Sequence, residues 1–208
     1  SANPVVSAAD TRAYRRAFGK LELLVAVDTS RTETTELAHY VLPAASQFEK
    51  YECTFFNWGF PENHLHVRHP LLPVREGCLP EPEIYRRLAV AVSDDVSKNP
   101  LLGPLLQVTE HPAFAAMPAD RRLALAPLFV AAQQFAEQHR AAVLRAGIED
   151  RSGHGLGMAL FERMIGSPSG TVISRHEYED TFSFIRHADG KIHLDVDEMF
   201  RWMDELRA

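Results

Sequence analysis

The chain has 208 residues, 46% of them hydrophobic and 24% charged, an ordinary balance for a globular protein long enough to bury a core. Its net charge of -6 provides no basic stripe to neutralise phosphates, which excludes a nucleic-acid partner. Cys53 and Cys78 lack a CxxC spacing, so they cannot hold an iron–sulfur cluster or a structural zinc alone; they read as free thiols of a cytoplasmic protein. No apolar run approaches the roughly 20 residues of a membrane span, and no charged, apolar leader opens the chain.

Asn3-Pro4 is a turn signal, because Asn tolerates unusual backbone angles and the residue before Pro is pushed out of the helical region. Ser7 is the expected cap of a helix over residues 8–18, with Asp10 in its first turn and Gly19 as its C-cap. Residues 21–46, LELLVAVDTSRTETTELAHYVLPAAS, then read as strand, acidic loop, short helix and strand. Two near-continuous apolar runs joined by a crossover are what a buried parallel pair requires. Ser30 or Thr32 can cap the crossover helix. Asp28 ends the first strand, where open α/β sheets bind ligands and an acid commonly takes a ribose hydroxyl; a helix cap or plain loop carboxylate is the competing reading. Two strands alone make too small a layer, so either other elements complete it or the chain is cut from something larger, and the second is expected.

From Ser46 to Gly77 the periodicity fails. An aromatic run, Phe55, Phe56, Trp58 and Phe60, precedes His64, Leu65, His66, Val67 and Arg68, a strand pattern with one polar face. The expectation is a long loop with one or two short strands, a length usually tied to function or an interface. Pro80-Glu81-Pro82 opens a helix to about Val92, with Ile84, Leu88 and Ala91 or Val92 as its apolar stripe. Beyond Lys98 the composition turns to Ala, Leu, Gln and Arg. One or two short helices are expected over 100–116 and a long one over 119–146, kinked or broken at Pro127 and ended by Gly147. A further helix over 153–166, a turn at 188–190, a strand over 191–194 and a last helix over 197–206 complete the reading. The fold class is therefore α/β: a partial Rossmann-like layer with a short parallel sheet over residues 1–97, then a mostly helical segment over 98–208 packed on it.

His64, His66 and His69 invite a metal site, but no carboxylate or cysteine stands at ligand spacing, and a polar strand face is the simpler reading. The glycines of GHGLGMALFERMIG do not follow a strand and mark a helix entry rather than a phosphate cradle. Glu149 and Asp150, and Glu177, Glu179 and Asp180, read as solvated faces and caps. No nucleophile elbow, P-loop or HExxH is present, so no catalytic residue and no metal ligand is assigned.

ANPVVS, then LELLVAVDTSRTETTELAHYVLPAASQFEK, then PEPEIYRRLA resembles the molybdopterin oxidoreductase family of formate dehydrogenase and dimethyl sulfoxide reductase type. Asn3-Pro4, Asp28, Thr32-Glu33-Thr34, Ala38 and Val41-Leu42-Pro43 match the family's motifs in order and spacing, with Glu49 at its glutamate. His39-Tyr40 replaces the usual aspartate, and Pro61-Glu62-Asn63 replaces an expected Gly-Arg pair. The resemblance covers residues 2 to about 92. It implies an internal piece of a molybdenum oxidoreductase large subunit, from the α/β domain that holds a molybdopterin guanine dinucleotide for a two-electron reaction. The cofactor is expected on the parent and not on this piece alone, which would not be catalytic. By the same resemblance Asn3 and Ser7 lie near the guanosine end of the cofactor. Asp28 contacts the guanosine, with Val27 beside it, and Glu81 accepts from the guanine N–H groups. The implied partner is the remainder of the large subunit, with self-association of the piece as the other outcome. The alternatives are a non-catalytic α/β interaction or scaffold domain without cofactor, and a small nucleotide-binding enzyme.

Overall fold

The computed structural model describes residues 2–54, 58–115, 117–193 and 196–207. Two short helices come first, α1 (Pro4–Ser7) and α2 (Thr11–Phe18). Asp10, and not Ser7, caps α2: its Oδ1 accepts from the Ala13 amide at 2.8 Å. A carboxylate at that position satisfies an orphan N–H and complements the helix dipole. Ser7 instead closes α1, and Ala8 swings into extended backbone, which keeps the two helices separate. Gly19 ends α2 as expected.

Strands β1 (Val25–Asp28) and β2 (Tyr40–Pro43) form a parallel pair, with Val25 opposite Tyr40 and Asp28 opposite Pro43. The crossover between them is a single 3-10 turn, Thr35–Leu37, in place of the expected α-helix. Threonine side chains explain the difference. The Thr32 amide donates to Thr35 Oγ1 at 2.7 Å, and Thr35 returns bonds to Thr32 Oγ1 and the Thr32 carbonyl. Such local side-chain bonds offer the backbone an alternative to a helical ladder. On its far side β2 continues into a bridge with Leu79, whose amide donates to the Pro43 carbonyl. Among the described residues no strand pairs with the outer edge of β1.

Three short strands cross the 46–77 region: β3 (Glu52–Cys53), β4 (Glu62–Leu65) and β5 (Val67–Arg68). Asn63, Leu65 and Val67 are buried and His64 is exposed, so the alternation read from the sequence holds. The run nonetheless divides between two antiparallel pairs. β5 joins β3, while β4 joins β6 (Thr171–Arg175), a strand the sequence reading passed over. Phe55 and Phe56 lie outside the described residues.

The remaining helices are α3 (Glu81–Val92), α4 (Leu102–Val108), α5 (Ala119–Gln138), α6 (Arg140–Arg145), α7 (Leu156–Ile165), α8 (Asp180–Ser183) and α9 (Asp197–Arg207). Helix α3 buries Ile84 and Ala89 and leaves Leu88 and Val92 exposed, because it meets α5 and the 96–98 turn along a narrow line. Pro127 sits inside an unbroken α5. Its missing N–H costs one bond, and burial of Leu125, Ala126, Leu128 and Phe129 around it holds the helix together. The break falls at His139, whose ring packs against Phe135, His176 and Phe184. Gly147 follows α6 with φ +76, the left-handed conformation expected of a glycine there. Residues 191–193 form no strand, and Leu194 lies outside the described residues.

The architecture is thus a short parallel sheet followed by a mostly helical segment, and the main core lies in the latter. Phe114, Phe129 and Phe161 meet ring to ring at 5.2–5.5 Å, surrounded by Leu125, Leu160, Val143 and Met164. Leu65, Val67 and Ile173 from the strands plug into the same cluster. Truncating Phe161, which is 0% exposed, to Ala should cost about 3–5 kcal/mol in urea unfolding. Val92→Ala, at an 86% exposed position, should stay within about 0.5 kcal/mol.

Burial, and then the neighbouring charges of His176 and Arg186, hold the His139 imidazole below its ordinary pKa. The folded state therefore binds its proton less readily than the unfolded chain, and stability is lost as pH falls through and below about 6.5. The urea midpoint should drop between pH 7.5 and 5.5, and His139→Gln should shrink that drop.

Candidate functional site

Because β1 and β2 run parallel, both present their carboxyl ends on one side, where Asp28 and the 29–36 loop lie. The chain's first turn is stapled to that loop. Asn3 Nδ2 donates to Glu33 Oε2 at 2.6 Å, and Thr34 Oγ1 donates to Asn3 Oδ1 at 2.6 Å. The Val5 amide donates to the same threonine hydroxyl, between two buried residues. Glu33's own backbone N–H, and after it the Asn3 amide, hold the Glu33 carboxyl below the usual carboxylate range. Asn3 thus organises the loop with both ends of its side chain. Ser7, at the end of α1, is exposed.

Asp28 is 8% exposed. Its Oδ1 accepts from the Thr29 amide at 2.7 Å and the Ser30 amide at 3.4 Å, while Oδ2 has no protein donor among the described residues. The carboxylate lines a cleft of about 440 Å³ together with Thr29, Ser30, Arg31, Thr35 and Glu36. Val27, half-buried, precedes it in β1.

Glu81 begins α3, two residues beyond Leu79, which bridges to the chain on the side of β2 away from β1 and Asp28. Its Oε1 accepts from Lys50 Nζ at 2.5 Å, and Lys50 also lies 3.3 Å from Glu52. The Lys50 side chain is only 14% exposed, so this pair is well covered. Glu81 does not line the Asp28 cleft. Of the five residues singled out from the sequence, the structure joins Asn3 to the loop that follows Asp28 and sets Glu81 apart from it.

Glu49 is a loop organiser. Its two oxygens accept from the Ser46 amide at 2.6 Å and the Arg75 amide at 2.8 Å, and these bonds, the Ser46 ones first, hold its carboxyl below the usual range. The sequence reading had no means to identify Lys50 as the partner of Glu81, since the two meet only in three dimensions. His66 and His69 spend their Nε2 atoms on the carbonyls of Pro168 and Ile165, at 2.7 and 2.9 Å. Among the described residues no three His, Cys, Asp or Glu side chains are placed to hold a metal. The glycine-rich entry to α7 is likewise occupied from within: Asp150 accepts from the amides of Gly153, His154 and Gly155.

A strand-end acid over a cleft, with the Asn-Pro turn tied to the loop behind it, is the setting for the comparison with known proteins. The profile of the molybdopterin oxidoreductase family matches residues 1–89. Within the chain, a 48-residue stretch is 44% identical to the probable oxidoreductase YyaE of Bacillus subtilis (strain 168). That stretch is 23% of this chain and 7% of the Bacillus protein. No solved structure matches. The family match thus ends within α3, and the helices beyond it stand outside it. No helix among the described residues is long and apolar enough to cross a membrane.

Replacing Asn3 with Ala removes both hydrogen bonds of the staple. Stability should fall by about 1–2 kcal/mol in urea titration, and the Val5 amide should exchange with solvent faster than in the parent chain.

Proposed function

We propose that the chain contributes part of a molybdopterin guanine dinucleotide site to a molybdenum-dependent oxidoreductase large subunit that runs a two-electron reaction of formate dehydrogenase-like type. Residues 1–97 would be the partial dinucleotide-binding domain and residues 98–208 the helical segment packed on it, in a cytoplasmic enzyme. The observation that carries the reading is the Asp28 carboxylate. It is buried, fixed through Oδ1 by two amides, and has Oδ2 uncommitted at a cleft. An acceptor held in that way suits a ribose hydroxyl or a guanine N–H.

The residues fit the cofactor's guanosine end in part. Asp28, with Val27 beside it, would hold the guanosine, and Thr29, Ser30 and Arg31 offer polar groups around the same cleft. Asn3 would act by fixing the Glu33–Thr34 part of the loop, and Ser7 would stay available at the surface. Glu81 would use the oxygen that Lys50 leaves free. When bound, the cofactor would supply the molybdenum and the redox chemistry; this chain's residues bind and orient it. The apolar side chains left exposed on the sheet and just ahead of it, Tyr40 at 65% and Leu23 at 60%, suit cover by the remainder of the large subunit. Without it, the open edge of β1 favours self-association.

A second reading, an α/β interaction domain without cofactor, draws on the polar atoms that Asn3 and Glu81 already spend inside the chain. Asp28→Ala in the full-length protein that carries this segment separates the two. Loss of a charged hydrogen-bond acceptor should lower the cofactor content per polypeptide by about tenfold. An unchanged molybdenum and pterin content would sink the cofactor assignment and leave the interaction domain.

A further inference from the structure

A larger cleft than the one at Asp28 lies elsewhere in the chain. It lies between the 74–80 loop and α3, with a volume of about 580 Å³, and Ala119 at the start of α5 closes one side. None of Asn3, Ser7, Val27, Asp28 or Glu81 lines it. Three arginines do, Arg75, Arg86 and Arg87, against two glutamates, Glu76 and Glu83, on a chain whose net charge is -6.

Two of these cations are held in place by one anion. Arg86 grips both oxygens of Glu83 through Nε and Nη2, at 2.7 and 2.8 Å, and Arg87 Nε reaches the same carboxylate at 2.8 Å. A single carboxylate neutralises one of the two charges and leaves most of their N–H donors unspent. The arginine side chains at i+3 and i+4 from Glu83 thus stand side by side before any ligand arrives. Arg75 comes from the opposite wall. Its amide is pinned by Glu49, whose carboxylate also feels the Arg75 charge, and Gly77 takes φ +80 to close the loop.

We infer that this cleft is a second ligand site, one that takes the phosphoryl group of a small molecule. Planar guanidinium forks match the spacing of phosphate oxygens and bond them in pairs. The volume falls in the range of small-molecule sites. The acidic chain as a whole speaks against a long polyanion such as nucleic acid. The site is independent of the assignment of Asp28.

Cys78 lines the same cleft and supplies the readout. Burial, and after it the charge of Glu52, pushes the Cys53 thiol up to about 11, so Cys53 serves as a slow internal reference. Alkylation of the full 208-residue chain with iodoacetamide, followed peptide by peptide, should slow at Cys78 by about threefold or more with inorganic pyrophosphate at low ionic strength. Arg75→Gln and Arg87→Gln should each weaken that protection. Glu83→Gln, which frees both helix arginines, should lower the pyrophosphate concentration needed. Thermal unfolding of each variant checks the fold separately. Inorganic phosphate and guanosine diphosphate form the other arms: tighter protection by the nucleotide places the phosphoryl group on a nucleoside, and equal protection makes it free phosphate. The proposal is overturned if pyrophosphate leaves the Cys78 rate unchanged, or if it protects equally well when Arg75 and Arg87 are replaced.

Discussion

The pairing of β4 with β6 is the constraint on which the rest of the structure depends. It joins residues 111 apart in sequence, and a buried hydrogen bond from Asn63 Nδ2 to Ser174 Oγ locks the pair from inside. Without that tie, Leu65 and Val67 would have no route into the helical core, and the long 46–77 stretch would be a loose connection. With it, the same stretch becomes a plug. His66 and His69, held to the carbonyls of Pro168 and Ile165, reinforce it on both sides of β5. A contact of such sequence separation forms late and at high entropic cost, so helices α5 and α7 need to have met first.

The same logic explains how the polar groups of the first 90 residues are used. Asn3, Glu33, Thr34, Glu49, Lys50 and Glu81 bond across loops and hold three irregular segments against a very small sheet. Two parallel strands bury too little to do this alone. Asp28 differs because its carboxylate is spent, through one oxygen, only on backbone amides next to it in sequence. An acceptor left over after the local structure has been satisfied is available for a ligand. The arginines of α3 show the mirror image: donors left over after Glu83 has been shared between them.

Much of this was legible in the sequence, for identifiable reasons. Val25–Asp28 and Tyr40–Pro43 stand out because apolar runs bounded by turn chemistry have few other uses, and their parallel pairing follows from the crossover between them. Gly147 and Gly19 marked helix ends because few other residues suit those positions. What escaped was set by competition or by distance. Ser7 and Asp10 are both competent caps, and only the backbone path selects Asp10. Pro127 looked like a break because its cost is local, whereas the burial that outweighs it comes from other helices. His139 carried no signal, since its ring leaves the helix to meet His176 and Phe184, partners far along the chain. At β6, the β-branched run Thr171–Val172–Ile173 was a strand signal, but its partner is the distant β4.

The two halves of the chain differ in how far they satisfy themselves. Phe114, Leu160 and Phe161 are at 0% exposure in the helical part, whose helices close around them. In the sheet and just ahead of it, by contrast, Leu21, Leu23, Val25, Tyr40 and Val41 stay exposed, and among the described residues β1 keeps an open edge. Such side chains on a parallel sheet require cover on both faces, because parallel strands are stable only when enclosed. The 29–36 loop rests on that same sheet, so its positions at Asp28 are only as fixed as the strands beneath. A cover over the strands would therefore also steady the loop at the Asp28 cleft. The arginine cleft takes one wall from α3, which packs against α5, and the other from the 74–80 loop, which is bonded to the end of β2 through Leu79.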